Sequence, residues 1–460
     1  LEKSTHLEKN TGVDKMSIEK VRNIIKDIIS DSTKLPVDDI DTQFHDYGIV
    51  SAEIPRVVKA INERFGTNIE VSVIFNYPNI RRLADFVYEN MNSKTVEQVV
   101  NIKIDDSDKS NKLAIVGMSC RYPGGADSID EFWKVLEEGI DGIVDIPEDR
   151  WDLERYYDSD KTIPGKMYCR TGGFLNTDIY GFDTKLFNMS PKEAISVAPE
   201  HKMLLELTLE AYENGNLNIA DYNGSNTGVF IGISTNEYTV SNLYSGDYKK
   251  IDAYALTGTC YSTCCGRISY TFGFEGPCIA VDTACSSSLT ALQIACQSLK
   301  NNQSDAVVVG GINLMLTPAP NIGFSKLQAT SPEGHCKPFD DSADGYGRSE
   351  GAGVIIIKRL EDAERDNDKI FGVIRAAAIN QDGKSNGLTA PSGAAQEKVI
   401  RKALKEAGID ADMVSYVETH GTGTKLGDPI EAGALTNIYG KARRNKSPLL
   451  IGSAKSNIGH

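Results

Sequence analysis

Glycine and cysteine are almost missing from the first quarter of this 460-residue chain. Residues 1–112 hold only Gly12, Gly48 and Gly66 of the 41 glycines and none of the nine cysteines. Such a change in composition excludes a single uniform domain, and the length alone calls for two or more units. A surplus of basic residues is also lacking. The formal net charge of -15 excludes the phosphate-neutralising surface that a nucleic-acid-binding protein needs. No apolar run approaches the roughly 20 residues of a membrane span, and the polar opening LEKSTHLEKNTG is no signal peptide. There is no GxxxxGKS/T or strand-linked GxGxxG loop for a nucleotide phosphate. The cysteines lack both the CxxC pairs of a zinc site and the regular spacing of a disulfide framework. Their cluster at Cys260, Cys264 and Cys265 reads as small core residues on a helix, and the protein as cytoplasmic.

What is present falls into four segments. Residues 1–15 are polar and charged, and the chain does not begin with Met, which suggests an excerpt from a longer polypeptide. Residues 16–92 read as a small helical unit. Val21, Ile24, Ile25, Ile28 and Ile29 recur at helical spacing, as do Ile54, Val57, Val58 and Ile61. Residues 93–111 are polar and short of aromatics, as a linker is. Residues 112–460 alternate strand-like and helix-like stretches, the pattern of an α/β domain. Strands are expected at Leu113–Met118, TGVFIGIS, Pro277–Val281, DAVVVGGINLM and EGAGVIIIKRL, and a second series begins at FGVIRAAAIN. The Pro277–Val281 strand is expected to be buried, and MSPKEAISVAPEHKMLLELTLEAYE to be one long helical region.

The stretch that organises the large domain is VDTACSSSL, Val281 to Leu289. An apolar strand stops there and delivers Cys285 into a serine-rich helix start. The free N–H groups and positive dipole end of a helix favour an anionic sulfur, so Cys285 is the candidate nucleophile; as a free cysteine it is equally readable as a small core residue. Downstream, His420 in VETHGTGTKLGDP and His460 in IGSAKSNIGH each close a strand-like run beside glycines. A neutral imidazole both accepts and donates hydrogen bonds, so one cysteine with two histidines makes a plausible nucleophile and acid/base set.

VDTACSSSL, VETHGTGT and SAKSNIGH, in that order, resemble the Cys-His-His signatures of β-ketoacyl synthases of the polyketide synthase and type I fatty acid synthase kind. The likeness extends from about Lys112 to His460 through KLAIVGMSCRYPGG, PEDRWDLERYYD, GRISYTFGFEGP and DGYGRSEGAG. It implies a thiolase-like fold of two similar halves in an αβαβα stack, with the chain stopping partway through the second half. It also implies an acyltransferase that forms carbon-carbon bonds by decarboxylative Claisen condensation. Cys285 would hold the acyl chain while His420 and His460 stabilise the enolate. Lys455 would orient a histidine, and Glu350 would organise Lys455 and the nearby loops. Where the family has an aspartate and paired glutamines this chain has Ala198, Glu200 and His201, and His201 is expected at a surface or interface.

Residues 16–92 resemble an acyl carrier protein, a small four-helix domain whose serine carries phosphopantetheine. Tyr47, Gly48, Ile49, Val50 and Ser51 match its motif, so Ser51 takes the attachment position while Val50 replaces the usual aspartate. The implied partners are acyl and malonyl carrier domains, an acyltransferase in the same chain or in trans, and a second copy in a homodimer. Two other readings stand beside elongation: a non-elongating synthase that only passes the chain on, and a non-catalytic carrier or docking fragment.

Overall fold

The computed structural model describes residues 16–33, 36–37, 39–44, 47, 54–67, 69, 74, 77, 79–92, 112–385, 387–443 and 448–460. These form two compact units divided between residues 101 and 102, the first also taking in 381–395.

In the first unit three helices are described, α1 (Ile18–Thr33), α2 (Ile54–Phe65) and α3 (Ile80–Asn92). Their apolar residues recur every three or four positions and converge. Val21, Ile25 and Ile29 meet Val57, Ile61, Leu83 and Val87, all fully buried. Arg22 pairs with Asp85 at 2.8 Å, and Arg81 grips Asp41 through Nε and Nη2 at 2.6 and 2.7 Å. Gly48, Val50 and Ser51 lie outside the described residues.

The second unit is built on β1 (Leu113–Arg121), a two-stranded pair β2 (Ile143–Asp145) and β3 (Thr171–Gly173), and then β4 (Thr227–Ile233), β5 (Cys278–Val281), β6 (Ala306–Asn313), β7 (Gly351–Arg359) and β8 (Gly372–Ile374). Six of these form one sheet in the order β5-β4-β6-β7-β1-β8. Side chains alternate across it, as strand geometry dictates. Val308, Ile231 and Ile356 face one core with helices α4 (Pro199–Asn214) and α5 (Tyr261–Phe272). Val307, Val309, Phe230 and Ile357 face the other, against Ala291, Ala295 and Leu299 of α6 (Ser287–Lys300). Beyond this sheet come α7 (Gly393–Ala407), β9 (Tyr416–Glu418), α8 (Gly427–Leu435) and β10 (Leu450–Gly452). The last two strands pair in parallel as the described part of a second sheet.

Three expectations need correction. β5 is an edge strand that pairs only with β4 among the described strands, with Cys278 and Ile279 exposed. The long helical region is two helices, Pro191–Ser196 and α4, broken at Val197 and Ala198 where Pro199 forces extended backbone on its predecessor. β8, where the second series was expected to begin, pairs with β1 at the edge of the first sheet. His201 is only 1% exposed, because it occupies the first turn of α4, which is buried along its length.

Candidate active site

The elbow at Cys285 is held by its own serines. After β5, residues Ala284–Ser286 make one 3₁₀ turn and α6 begins at Ser287. Ser287 Oγ accepts from Thr283 N at 2.9 Å and donates to the Ala284 carbonyl at 2.7 Å, while Ser286 Oγ donates to the Thr283 carbonyl at 2.9 Å. Ala284, not the cysteine, takes the strained conformation, with φ at 55°. Two strand glycines bring the helix close. A Cβ on Gly232 would lie 2.5 Å from Ser288 N, and one on Gly311 would lie 2.8 Å from Ser288 Cβ. Cys285 is therefore exposed at the helix start, while Cys120, Cys169, Cys264, Cys265, Cys296 and Cys336 are buried. Burial pushes the Cys120 thiol up to about 12 and Cys296 and Cys336 up to about 11.

His420 lies two residues past the end of β9. The Glu431 carboxylate on α8 accepts from His420 N at 2.7 Å and Gly421 N at 2.8 Å, fixing the turn that aims the ring. Asp428, buried at the start of the same helix, accepts from Gly423 N at 3.2 Å and Phe339 N at 2.8 Å. His460 is clamped by its backbone to the segment before β7. Its N–H donates to the Gly347 carbonyl at 2.7 Å and its carbonyl accepts from Ser349 N at 2.8 Å. The two imidazoles meet edge to face with centroids 5.1 Å apart, and Tyr346 stacks edge-on to His460 at 5.3 Å.

Lys455 begins the last short helix and donates to the Thr419 carbonyl at 3.3 Å, beside His420. Burial first, and then the Lys455 charge, hold His420 below its ordinary value. For His460, burial, His420, Lys455 and Arg348 together bring the value down to about 3. Both rings are thus kept neutral near pH 7, able to donate one N–H each without carrying charge. Cys285 lies within electrostatic reach of Tyr346 and Arg348, which flank His460.

Glu350 does not touch Lys455. Its fully buried carboxylate meets Arg150 at 3.3 Å and accepts from Leu175 N at 3.1 Å and Met315 N at 3.0 Å. It points inward because it opens onto β7, and by alternation its neighbour Ser349 faces the His460 turn, donating to the Ile458 carbonyl at 2.5 Å. Glu350 thus braces the frame on which His460 is hung. Tyr346, Arg348, Glu431 and Asp428 went unassigned from sequence, although all four lie inside the motifs quoted for the resemblance or directly after them.

The Cys285 elbow and the paired imidazoles of His420 and His460 beside Lys455 carry the residues on which the sequence resemblance rests, and family models match this part of the chain. That for the β-ketoacyl synthase N-terminal domain matches residues 110–363, and that for its C-terminal domain residues 371–460. The chain belongs to the β-ketoacyl synthase family. A phosphopantetheine attachment site model matches residues 23–87, so the synthase follows a carrier domain, as in a type I modular polyketide synthase. One phenolphthiocerol/phthiocerol polyketide synthase chain of Mycobacterium tuberculosis is 46% identical over 77% of this chain and 19% of its own length. The pikromycin polyketide synthase component PikAII of Streptomyces venezuelae is 40% identical over 92% of this chain and 11% of its own. The synthase thus spans less than a fifth of those curated relatives. Among solved structures, the ketosynthase from module 6 of the bacillaene synthase of Bacillus subtilis 168 superposes with a TM-score of 0.68 at 41% identity, covering 76% of this chain and 58% of that one. The OzmH oxazolomycin ketosynthase domain of Streptomyces albus gives 0.73 at 37% identity, covering 76% and 60%. The thiolase-like fold is therefore shared.

Proposed function

We propose that the chain carries the condensing step of polyketide elongation, with residues 16–92 as carrier, 93–111 as linker and the synthase from 112 onward. The observation that supports this most is the pair of uncharged imidazoles 5.1 Å apart, held neutral by burial and Lys455. The Cys285 thiolate attacks an incoming acyl thioester, and the carrier thiol leaves with a proton. A malonyl-type thioester then loses its carboxylate as carbon dioxide. The electron pair left behind attacks the Cys285 thioester carbonyl, a carbon-carbon bond forms, and the cysteine sulfur leaves. During decarboxylation, negative charge grows on the malonyl thioester oxygen, where His420 and His460 N–H groups stabilise it. The backbone N–H of Cys285, at the start of a helical turn, stabilises the oxyanion of the acyl group. Lys455 favours the neutral imidazoles.

Carrier domains bearing the acyl and malonyl groups are the partners this chemistry needs, and an acyltransferase must supply the malonyl unit. Phosphopantetheine, on Ser51 in this reading, supplies the thiol that bears an acyl thioester. A homodimer is supported by the open edge of β5, where Ile279 is 40% exposed. The cysteine pattern supports a cytoplasmic setting, and no described helix is long and apolar enough to cross a membrane. The test separates the two half-reactions. Cys285→Ala should abolish acyl loading, read as mass on the Cys285 peptide, yet leave malonyl-carrier decarboxylation measurable. His420→Ala or His460→Ala should load acyl groups while decarboxylating roughly 10² to 10³ times more slowly. Acyl loading that survives Cys285→Ala would refute the assignment.

A further inference from the structure

Asn457 stands between Lys455 and His460, and its side chain is engaged far from either of them in sequence. Its Nδ2 donates to the Ile140 carbonyl at 3.0 Å and to the Val135 carbonyl at 3.4 Å, partners 317 and 322 positions earlier. Carbonyls accept and do not donate, so only the nitrogen of the amide satisfies both. The backbone answers in the opposite direction, with Gly142 N donating to the Asn457 carbonyl at 2.8 Å.

The cradle for this amide is built where helix Ile129–Glu137 ends. Gly139 takes the left-handed conformation that closes a helix, φ 64°, and Ile140 N donates back to the Val135 carbonyl at 2.9 Å. That turn brings the Val135 and Ile140 carbonyls to one donor. Its far side is tied as well. Asp141 Oδ1 accepts from Ile143 N at 3.0 Å, and Asp141 Oδ2 meets His335 Nε2 at 2.8 Å.

Two clamps thus hold the segment from Lys455 to His460. One is Asn457, and the other is the backbone pairing of His460 with Gly347 and Ser349. Between them lies Gly459, φ 78°, a joint about which a segment held only at His460 is free to turn. Turning there carries Lys455 away from the Thr419 carbonyl, 3.3 Å from its Nζ, and loosens the support of the His460 ring against His420.

We propose that Asn457 is a positioning residue for decarboxylation: locked to the loop after helix Ile129–Glu137, it fixes Lys455 and His460 against His420. This rests on His420 and His460 being the decarboxylating pair. Cys285 stands outside the lock, because its elbow is held by its own serines. Loss of Asn457 therefore divides the two half-reactions, which general destabilisation does not.

The test measures both half-reactions in the whole chain with acyl and malonyl carriers. Asn457→Asp keeps the shape of the side chain and removes both donors. It should lower kcat for malonyl-carrier decarboxylation by about 10- to 100-fold, with KM and acyl loading on the Cys285 peptide unchanged. Gly139→Val and Gly139→Asn probe the other half of the lock at an exposed position with open space around it. Valine is strained at positive φ and should slow decarboxylation in the same way, whereas asparagine tolerates that conformation and should keep the rate. This pair decides should Asn457→Asp lose its fold, seen as alkylation of buried Cys264. Full-rate decarboxylation in folded Asn457→Asp, or in Gly139→Val, overturns the proposal, and so does a parallel loss of acyl loading. Full-rate decarboxylation by His460→Ala would instead refute the function on which it rests.

Discussion

Adjacent residues Glu200 and His201 are both buried, and burial displaces them in opposite directions. The Glu200 carboxyl is pushed up to about 8, with Glu237 and Glu350 adding to the effect, and the His201 imidazole is pushed down to about 3. Glu200 Oε2 and His201 Nδ1 have no hydrogen-bond partner among the described residues. A carboxyl whose folded value is raised stabilises fully below its unfolded value near 4.5, and that contribution is lost as pH climbs toward 8. An imidazole whose folded value is lowered has no effect above about 6.5 and costs stability as pH falls from there toward 3. Glu200→Gln should therefore raise the melting temperature more at pH 8 than at pH 5, by on the order of 5 °C. Calorimetry at the two pH values checks this, and an equal gain at both would contradict it. Among the thiols, Cys278 joins Cys285 as exposed. Hydrogen bonding from Cys265 lowers Cys278, so limiting alkylation has two targets. Sequence alone named only Cys285, because an edge-strand cysteine carries no motif.

At the scale of elements, α6 rests on β4 and β6 through glycines. Gly232→Ala would force a methyl to within 2.6 Å of the Ser287 carbonyl carbon and 2.5 Å of Ser288 N, so the helix must shift. The expected cost is about 1–3 kcal/mol by urea unfolding, with slower acyl loading although no reacting group is changed. Unaltered loading would mean that the elbow tolerates a displaced helix. Most strands were legible, since β4, β6 and β7 are rich in β-branched residues with breaks at glycine and polar clusters. The edge position of β5 was not, because CIAV has the composition of a central strand and only pairing reveals its open side. Glu350 was expected to organise Lys455 and the nearby loops, and its described ion pair is with Arg150. Its ion pair with Arg150 spans 200 positions, and no local spacing encodes that.

The molecule as a whole joins a helical carrier to an α/β synthase, a division visible in glycine and cysteine usage before any contact is known. The prediction at this scale concerns Ser51. A broad phosphopantetheinyl transferase with coenzyme A should add one phosphopantetheine to the chain, and Ser51→Ala should prevent it, both read by intact mass. A mass gain that survives the substitution would place the modification elsewhere. Recognition by the transferase tests whether Asp46 can serve in place of the acid that Val50 displaces.

The backbone clamp on His460 has a consequence for synthesis of the chain. Cys285 leaves the ribosome well before the residue pinned between Gly347 and Ser349. The interval is 460 - 285 = 175 residues, which at roughly 5–20 residues per second amounts to about 9–35 s. During it the Cys285 elbow and the segment carrying Glu350 are already made while His460 is not. Under the roles proposed above, translation would therefore deliver the acyl acceptor before the second imidazole of the pair.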